Sequence, residues 1–94
     1  MDYISPSSTT YTIYTKSGCP YCTKVKKLLC ESSEDPLIVD CDEYLIEDKP
    51  QFLIFIANLA GIEYKTFPII FDCGVFIGGF TETKIYHDKK TAFL

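Results

Sequence analysis

Cys19-Pro20-Tyr21-Cys22 sits between a β-branched and aromatic run, Tyr11 to Thr15, and a helix-like run, Thr23 to Cys30. No other feature restricts the fold so much, because both neighbours have to present the cysteine pair. Two cysteines with two residues between them can close a small disulfide or supply half of a metal site. The flanks favour the disulfide, since a strand that delivers a C-x-x-C to the start of a helix is a redox layout. Pro20 suits the first helical position, where its missing N–H costs nothing. Cys19 then stands at the helix N-terminus, where free backbone N–H groups and the dipole stabilise negative charge. The thiolate is the nucleophile, and such a setting lowers a cysteine pKa from ~8.5 toward roughly 3.5–7.5.

Composition narrows the setting. Ninety-four residues, 47% hydrophobic and 15% aromatic, predict one small globular domain near the lower size limit for an independent core. No run of eighteen apolar residues occurs, so no membrane-spanning helix and no membrane partner are expected. Residues 1–10 are polar, rich in Ser and Thr, and lack the apolar core of a signal peptide; they read as a loose N-terminal arm. The five cysteines are an odd number, unlike a secreted disulfide framework. A soluble, cytoplasmic protein in a reducing compartment is the expectation. The net charge of −4 argues against nucleic-acid binding through a basic surface.

That charge is unevenly spread. No Asp or Glu occurs from Tyr3 to Cys30, while Lys16, Lys24, Lys26 and Lys27 surround the C-x-x-C. Lys26 and Lys27 read equally well as a solvated helix face. Lys16, on the short turn before Cys19, is the best candidate for stabilising the thiolate and attracting an anionic thiol.

The remaining elements are read from pattern. Val25, Leu28 and Leu29 give the first helix an apolar face, and Ser32 to Pro36 breaks it. Leu37-Ile38-Val39 suits a short buried strand. Asp48 is predicted to cap a second helix, with Pro50 in its first turn, an apolar stretch from Phe52 to Leu59, and Gly61 past its end. Ile69-Ile70-Phe71 and Val75-Phe76-Ile77 form a hairpin around a three-residue loop, Asp72-Cys73-Gly74. Thr81 is expected to cap a last helix running toward Lys90, with Ile85 on its inner face. The order β-α-β-α-β-β-α gives a mixed α/β sheet, parallel in its first pair and antiparallel at the hairpin.

Three segments in this order resemble a dithiol glutaredoxin. They are Thr12-Ile13-Tyr14-Thr15-Lys16-Ser17-Gly18-Cys19-Pro20-Tyr21-Cys22, then Lys65-Thr66-Phe67-Pro68, then Gly78-Gly79-Phe80-Thr81. The resemblance runs from Tyr11 to the C-terminus and implies a thioredoxin-like fold, with a four-stranded mixed sheet and about three helices. It implies Cys19 as nucleophile and Cys22 as resolving cysteine of a glutathione-disulfide oxidoreductase, with glutathione as co-substrate and no tightly bound cofactor or metal. Pro68 would be cis, turning the backbone of Phe67 toward Cys19 to pair with glutathione like an added strand. Thr66 belongs to the same segment. Gly79 would let the backbone approach the ligand, and the N–H groups of Thr81 and Glu82 would take the γ-glutamyl carboxylate. Lys16 and Lys65 would hold the glycyl carboxylate, with Tyr21 beside the sulfur. Expected partners are glutathione and glutathionylated or disulfide-bonded proteins, with a reductase such as ribonucleotide reductase among the open clients, and the protein is expected to be a monomer.

The chain also departs from that pattern. Phe67 replaces the usual small β-branched residue before the proline, the Gly61-to-Thr66 connection is slightly long, and the second helix offers mainly apolar side chains. Two other classes stay open: an iron–sulfur or metal protein using the same cysteines, and an interaction module using the apolar surface. Cys30 reads as a small buried residue, Cys41 and Cys73 as exposed, and His87 as a solvated helix residue. Asp40, Asp42 and Glu43 read as a charged turn, and Tyr14 as core.

Overall fold

In the computed structural model of the protein, residues 2–32 and 34–92 are described. Ser33, within the expected Ser32-to-Pro36 break, lies outside them. The first strand, β1 (Tyr11–Thr15), is buried at every residue, as only a central strand can be. It is followed by α1 (Pro20–Glu31), β2 (Leu37–Asp40), α2 (Asp42–Ala60), β3 (Ile69–Asp72), β4 (Val75–Gly78) and α3 (Phe80–Thr91). The sheet order is β2-β1-β3-β4, with β1 parallel to β2 and antiparallel to β3, and β3 antiparallel to β4. This is the expected thioredoxin-like arrangement of four strands and three helices.

Strand alternation sends successive side chains to opposite faces of the sheet. Tyr11, Ile13 and Ile70 pack with Val25 and Leu29 of α1, and Phe80 of α3 lies against the same cluster. Tyr14, Val39, Ile69 and Phe71 pack on the other face with Phe52 and Ile56 of α2. Each of these fully buried apolar side chains contributes roughly 1.5–3 kcal/mol. The sheet therefore carries α1 and α3 on one side and α2 on the other.

The ends of the elements differ from expectation at several points, each with a local cause. Helix α2 begins at Asp42, six residues before Asp48, and its first turn carries Asp42 and Glu43, which suit the positive end of the dipole. The expected charged turn is therefore the start of a helix. The helical path is broken at Asp48 (φ −160°, ψ 80°), which places Pro50 in the first turn of the segment beyond, where its missing N–H costs nothing; in an unbroken helix its ring would meet the carbonyl of Ile46. Asp48 still caps the helical segment beyond the break, its Oδ1 accepting the Gln51 N–H at 3.1 Å, and Gly61 ends the helix in the left-handed region. The hairpin loop has two residues, since Asp72 pairs with Val75, and Cys73 and Gly74 both take positive φ, as a type I′ turn requires.

Helix α3 is capped at Gly79, not Thr81, and Glu82 Oε1 accepts the Gly79 N–H at 2.7 Å. Ile85 is 53% exposed, because the inner positions of α3 are Thr83 and His87, one turn apart and on the opposite side. His87 is buried: its Nδ1 lies 3.0 Å from the Tyr11 hydroxyl, so the sheet offers a polar partner that holds the imidazole inside. The inner stripe of α1 is Cys22, Val25 and Leu29, which leaves Cys30 facing solvent. Cys41 is fully buried instead of exposed, its N–H donating to Thr15 O at 2.8 Å. The arm has no regular secondary structure, yet it is docked. Tyr3 packs on Tyr44, Phe52 and Phe55, and the Tyr14 hydroxyl donates to Ile4 O at 2.7 Å.

Candidate active site

Cys19 is the N-cap of α1, with Pro20 in the first helical position, and it is joined to Cys22 as a disulfide. The helix turns one donor toward the sulfur: the Cys22 N–H lies 3.2 Å from Cys19 Sγ and is shared with the Cys19 carbonyl at 3.1 Å. No acidic residue occupies the first turn of α1, so nothing in the helix opposes a negative charge there. Cys22 is 2% exposed, whereas Cys19 is partly open. An attacking group can therefore reach the first cysteine far more readily than the second. Such a pair can cycle between dithiol and disulfide, with the outer sulfur exchanging partners.

Beside it runs a groove of about 160 Å3 in which three distant segments meet. Tyr21 forms one wall, Thr66, Phe67 and Pro68 a second, and Gly79, Thr81 and Glu82 a third. The Phe67–Pro68 peptide bond is cis. Sheet pairing explains the meeting, since Tyr14 near the end of β1 pairs with Ile69 at the start of β3. The turn before Cys19 and the segment ending in Pro68 thus leave neighbouring strands at the same edge. Gly79, in the third wall, stands so close to Tyr64 that an added Cβ would lie 2.9 Å from its hydroxyl.

The two lysines are placed differently. Lys16 is exposed with its Nζ 5.6 Å from the centre of the Phe67 ring, a cation–π contact with one of the groove's lining residues. Phe67 itself is turned toward α2, stacked on Phe52 at 6.3 Å, so its ring is half-buried and does not bar the groove. Lys65 points away: it is paired with Glu63 at 2.6 Å and borders a separate apolar depression against α2, with Lys49, Pro50, Leu53 and Ile54. That pairing holds the Glu63 carboxyl below its ordinary range. Glu82 turns its carboxylate back on the Gly79 N–H, while the other first-turn N–H groups of α3 have no intrahelical carbonyl to reach.

A glutaredoxin family model matches residues 11–77. The chain belongs to the glutaredoxin family. It is 40% identical over 74 residues to the chloroplastic glutaredoxin-C5 of Arabidopsis thaliana, covering 79% of this chain and 41% of that one. It is 36% identical over 77 residues to the mitochondrial glutaredoxin-2 of Homo sapiens, covering 82% and 44%. The chain thus spans less than half the length of these two relatives. Among solved structures, glutaredoxin 1 from Francisella tularensis complexed with cacodylate has a TM-score of 0.74 at 31% identity, covering 87% of this chain and 95% of that one.

Two groove residues of this glutaredoxin carry no role in the sequence reading. Tyr64 and Phe80 both line the groove, and Phe80 lies 5.7 Å from the ring of Tyr21. Phe80 could have been found, because it sits inside the Gly-Gly-x-Thr segment, and the large residue after a close-packed glycine has to face something. Tyr64 left no such signal. Its position depends on how the 61–66 connection folds back, and no periodicity governs that stretch.

Proposed function

We propose that this chain is a glutathione-dependent thiol–disulfide oxidoreductase that reduces protein–glutathione mixed disulfides and protein disulfides. One observation carries the reading: between a helix-capping, half-open Cys19 and a buried Cys22, Tyr21 walls a groove together with Phe67-Pro68 and Gly79 to Glu82. The Phe67 backbone, outside the sheet ladder just before the cis Pro68 bond, suits a peptide-like ligand, and the start of α3 suits a carboxylate. Glutathione offers both, with a sulfur between them. Lys16, over the Phe67 ring, is the residue for the glycyl carboxylate; Lys65 would have to leave Glu63 to share that task.

In the proposed cycle the Cys19 thiolate attacks the glutathione sulfur of a protein–glutathione disulfide. The S–S bond of the substrate breaks, and the protein leaves as a thiolate that takes up a proton. A second glutathione, as thiolate, attacks the glutathione sulfur bound to Cys19, giving oxidised glutathione and restoring the Cys19 thiolate. For protein disulfides, Cys22 attacks the Cys19–protein disulfide, closes the Cys19–Cys22 bond and releases the second thiol. Two glutathione molecules then reduce that bond. Rate depends on thiolate fraction, intrinsic nucleophilicity and access together. A reducing, cytoplasmic setting belongs to the reading, supported by three further cysteines that stay free.

The test is glutathione-dependent reduction of a glutathionylated peptide, coupled to glutathione reductase and NADPH. Wild type is expected to turn over. Cys19→Ser is expected to lose all activity, and Cys22→Ser to keep this reaction while losing reduction of protein disulfides. A folded, reduced wild type without turnover, or full activity in Cys19→Ser, would refute the assignment.

A further inference from the structure

The turn Lys16-Ser17-Gly18 joins β1 to the nucleophile, and all three of its residues are exposed. Its anchor comes from outside. The Ser17 N–H donates to Asp42 Oδ1 at 2.8 Å, and the Ser17 hydroxyl donates to Asp42 Oδ2, so one carboxylate takes both donors of one residue. Hydrogen bonds to an ionised acceptor are about twice as strong as neutral ones. Asp42 is itself well held. It is the first residue of α2, its N–H donates to Asp40 Oδ1 at 3.0 Å, and the preceding Cys41 is buried and tied to Thr15 O at the end of β1. The Ser17 bonds, with a smaller contribution from the Lys16 ammonium, hold the Asp42 carboxyl below its ordinary range. The clamp is thus ionised at neutral pH.

We propose that Asp42 is a positioning residue for the reaction: its carboxylate fixes the Lys16–Gly18 turn, keeping Cys19 at the α1 N-terminus and Lys16 against the Phe67 ring. The link lies outside the groove and touches no reacting atom. Its functional meaning rests on the oxidoreductase reading, whereas its effect on the Cys19 sulfur does not.

The experiment compares Asp42→Ala, Asp42→Asn and Ser17→Ala in a Cys22→Ser background. Alkylation of Cys19 by iodoacetamide is followed across neutral pH by peptide mass. Asparagine can accept from the Ser17 N–H and donate to the Ser17 hydroxyl, so it keeps the link and loses only the charge. Alanine loses both, and the ratio of the two variants isolates the hydrogen bonds. Asp42→Ala is expected to react about three- to tenfold more slowly than Asp42→Asn, with its profile displaced to higher pH, as Cys19 leaves the helix end. Ser17→Ala, which keeps the backbone bond, is expected about twofold below wild type, and it carries the decision should Asp42→Ala fail to fold. In the turnover assay, Asp42→Ala is expected to raise KM for the glutathionylated peptide with little change in kcat, and Asp42→Asn to restore it. Matching alkylation profiles in folded Asp42→Ala and Asp42→Asn would overturn the proposal, as would a wild-type profile in Ser17→Ala. Alkylation needs no glutathione, so a wild type without turnover would count against the oxidoreductase reading alone.

Discussion

Five cysteines share this chain, and their surroundings divide them into three chemical kinds. Cys19 and Cys22 form the disulfide, Cys30 and Cys73 face solvent, and Cys41 is sealed in the α2-side core. Burial, with Asp40 adding to it, pushes the Cys41 thiol up to about 12. Burial first, then Asp72, also raises the Cys73 thiol. Iodoacetamide added to the oxidised native protein near neutral pH is expected to label Cys30 fastest, Cys73 more slowly and Cys41 only once urea is present. Peptide mass mapping checks this order; native labelling of Cys41 at the Cys30 rate would mean that the start of α2 opens freely. The sequence held a signal for Cys41 that its acidic neighbours masked. Val39 and Cys41 continue the period-two burial of β2, with Ile38 and Asp40 outward between them. His87 held none, because the hydroxyl that keeps it inside belongs to Tyr11, 76 positions away.

At the scale of elements, two glycines bound helices for different reasons, Gly61 ending α2 and Gly79 starting α3, and substitution separates them. Gly61 sits at φ +75° with open space around it, so its requirement is purely one of backbone conformation. Gly79 has an ordinary φ of −96°, and its requirement is space, with the Tyr64 hydroxyl and Glu82 Oε1 in the way of a side chain. Gly61→Ala is expected to cost about 1 kcal/mol in urea unfolding and leave turnover unchanged. Gly79→Ala is expected to cost little stability, since the Tyr64 side chain can give, but to push that ring into the groove and raise KM several-fold. Equal KM values in the two variants would remove Gly79 from the groove's third wall. The strands and α1 were legible because apolar periodicity and end signals agreed there, whereas α3 was visible only by its start, its inner positions being the polar Thr83 and His87. Residues 42–47 were not. They are acidic with little apolar rhythm, and the strong start signal of Asp48 and Pro50 concealed a helix already under way. Of the groove, the local motifs were readable, while the orientation of Lys65 was decided by a neighbour, Glu63, that has no place in any motif.

The whole molecule places several weak acids where ionisation is disfavoured. Tyr11 and Tyr14 are raised above the ordinary tyrosine range chiefly by burial, Tyr86 is raised to about 12 chiefly by its hydrogen bond to Asp72, and Cys41 joins them. A raised folded-state pKa means that the unfolded chain loses the proton first. Each such group contributes stability that is complete below its unfolded pKa, about 8.5 for Cys and 10 for Tyr, and is lost as pH climbs toward the folded value. Urea midpoints are therefore expected to fall steadily above about pH 8.5, Cys41 alone accounting for about 1–2 kcal/mol by pH 10. Cys41→Ala, less stable at neutral pH, is expected to show a shallower decline between about pH 8.5 and 10. An unchanged slope would mean that Cys41 ionises equally easily in both states.

The register that pairs Tyr14 with Ile69 aligns the two sides of the groove through the sheet alone. The chain between Ala60 and Tyr64 then has only to bridge a gap, and Gly61, Ile62 and Glu63 are all exposed. Length there is uncoupled from the alignment of the Cys19 turn with Pro68, provided that Tyr64 is returned to the groove. That connection is the place where such a scaffold can lengthen, acquire a tether or carry a graft while its sulfur chemistry stays aligned.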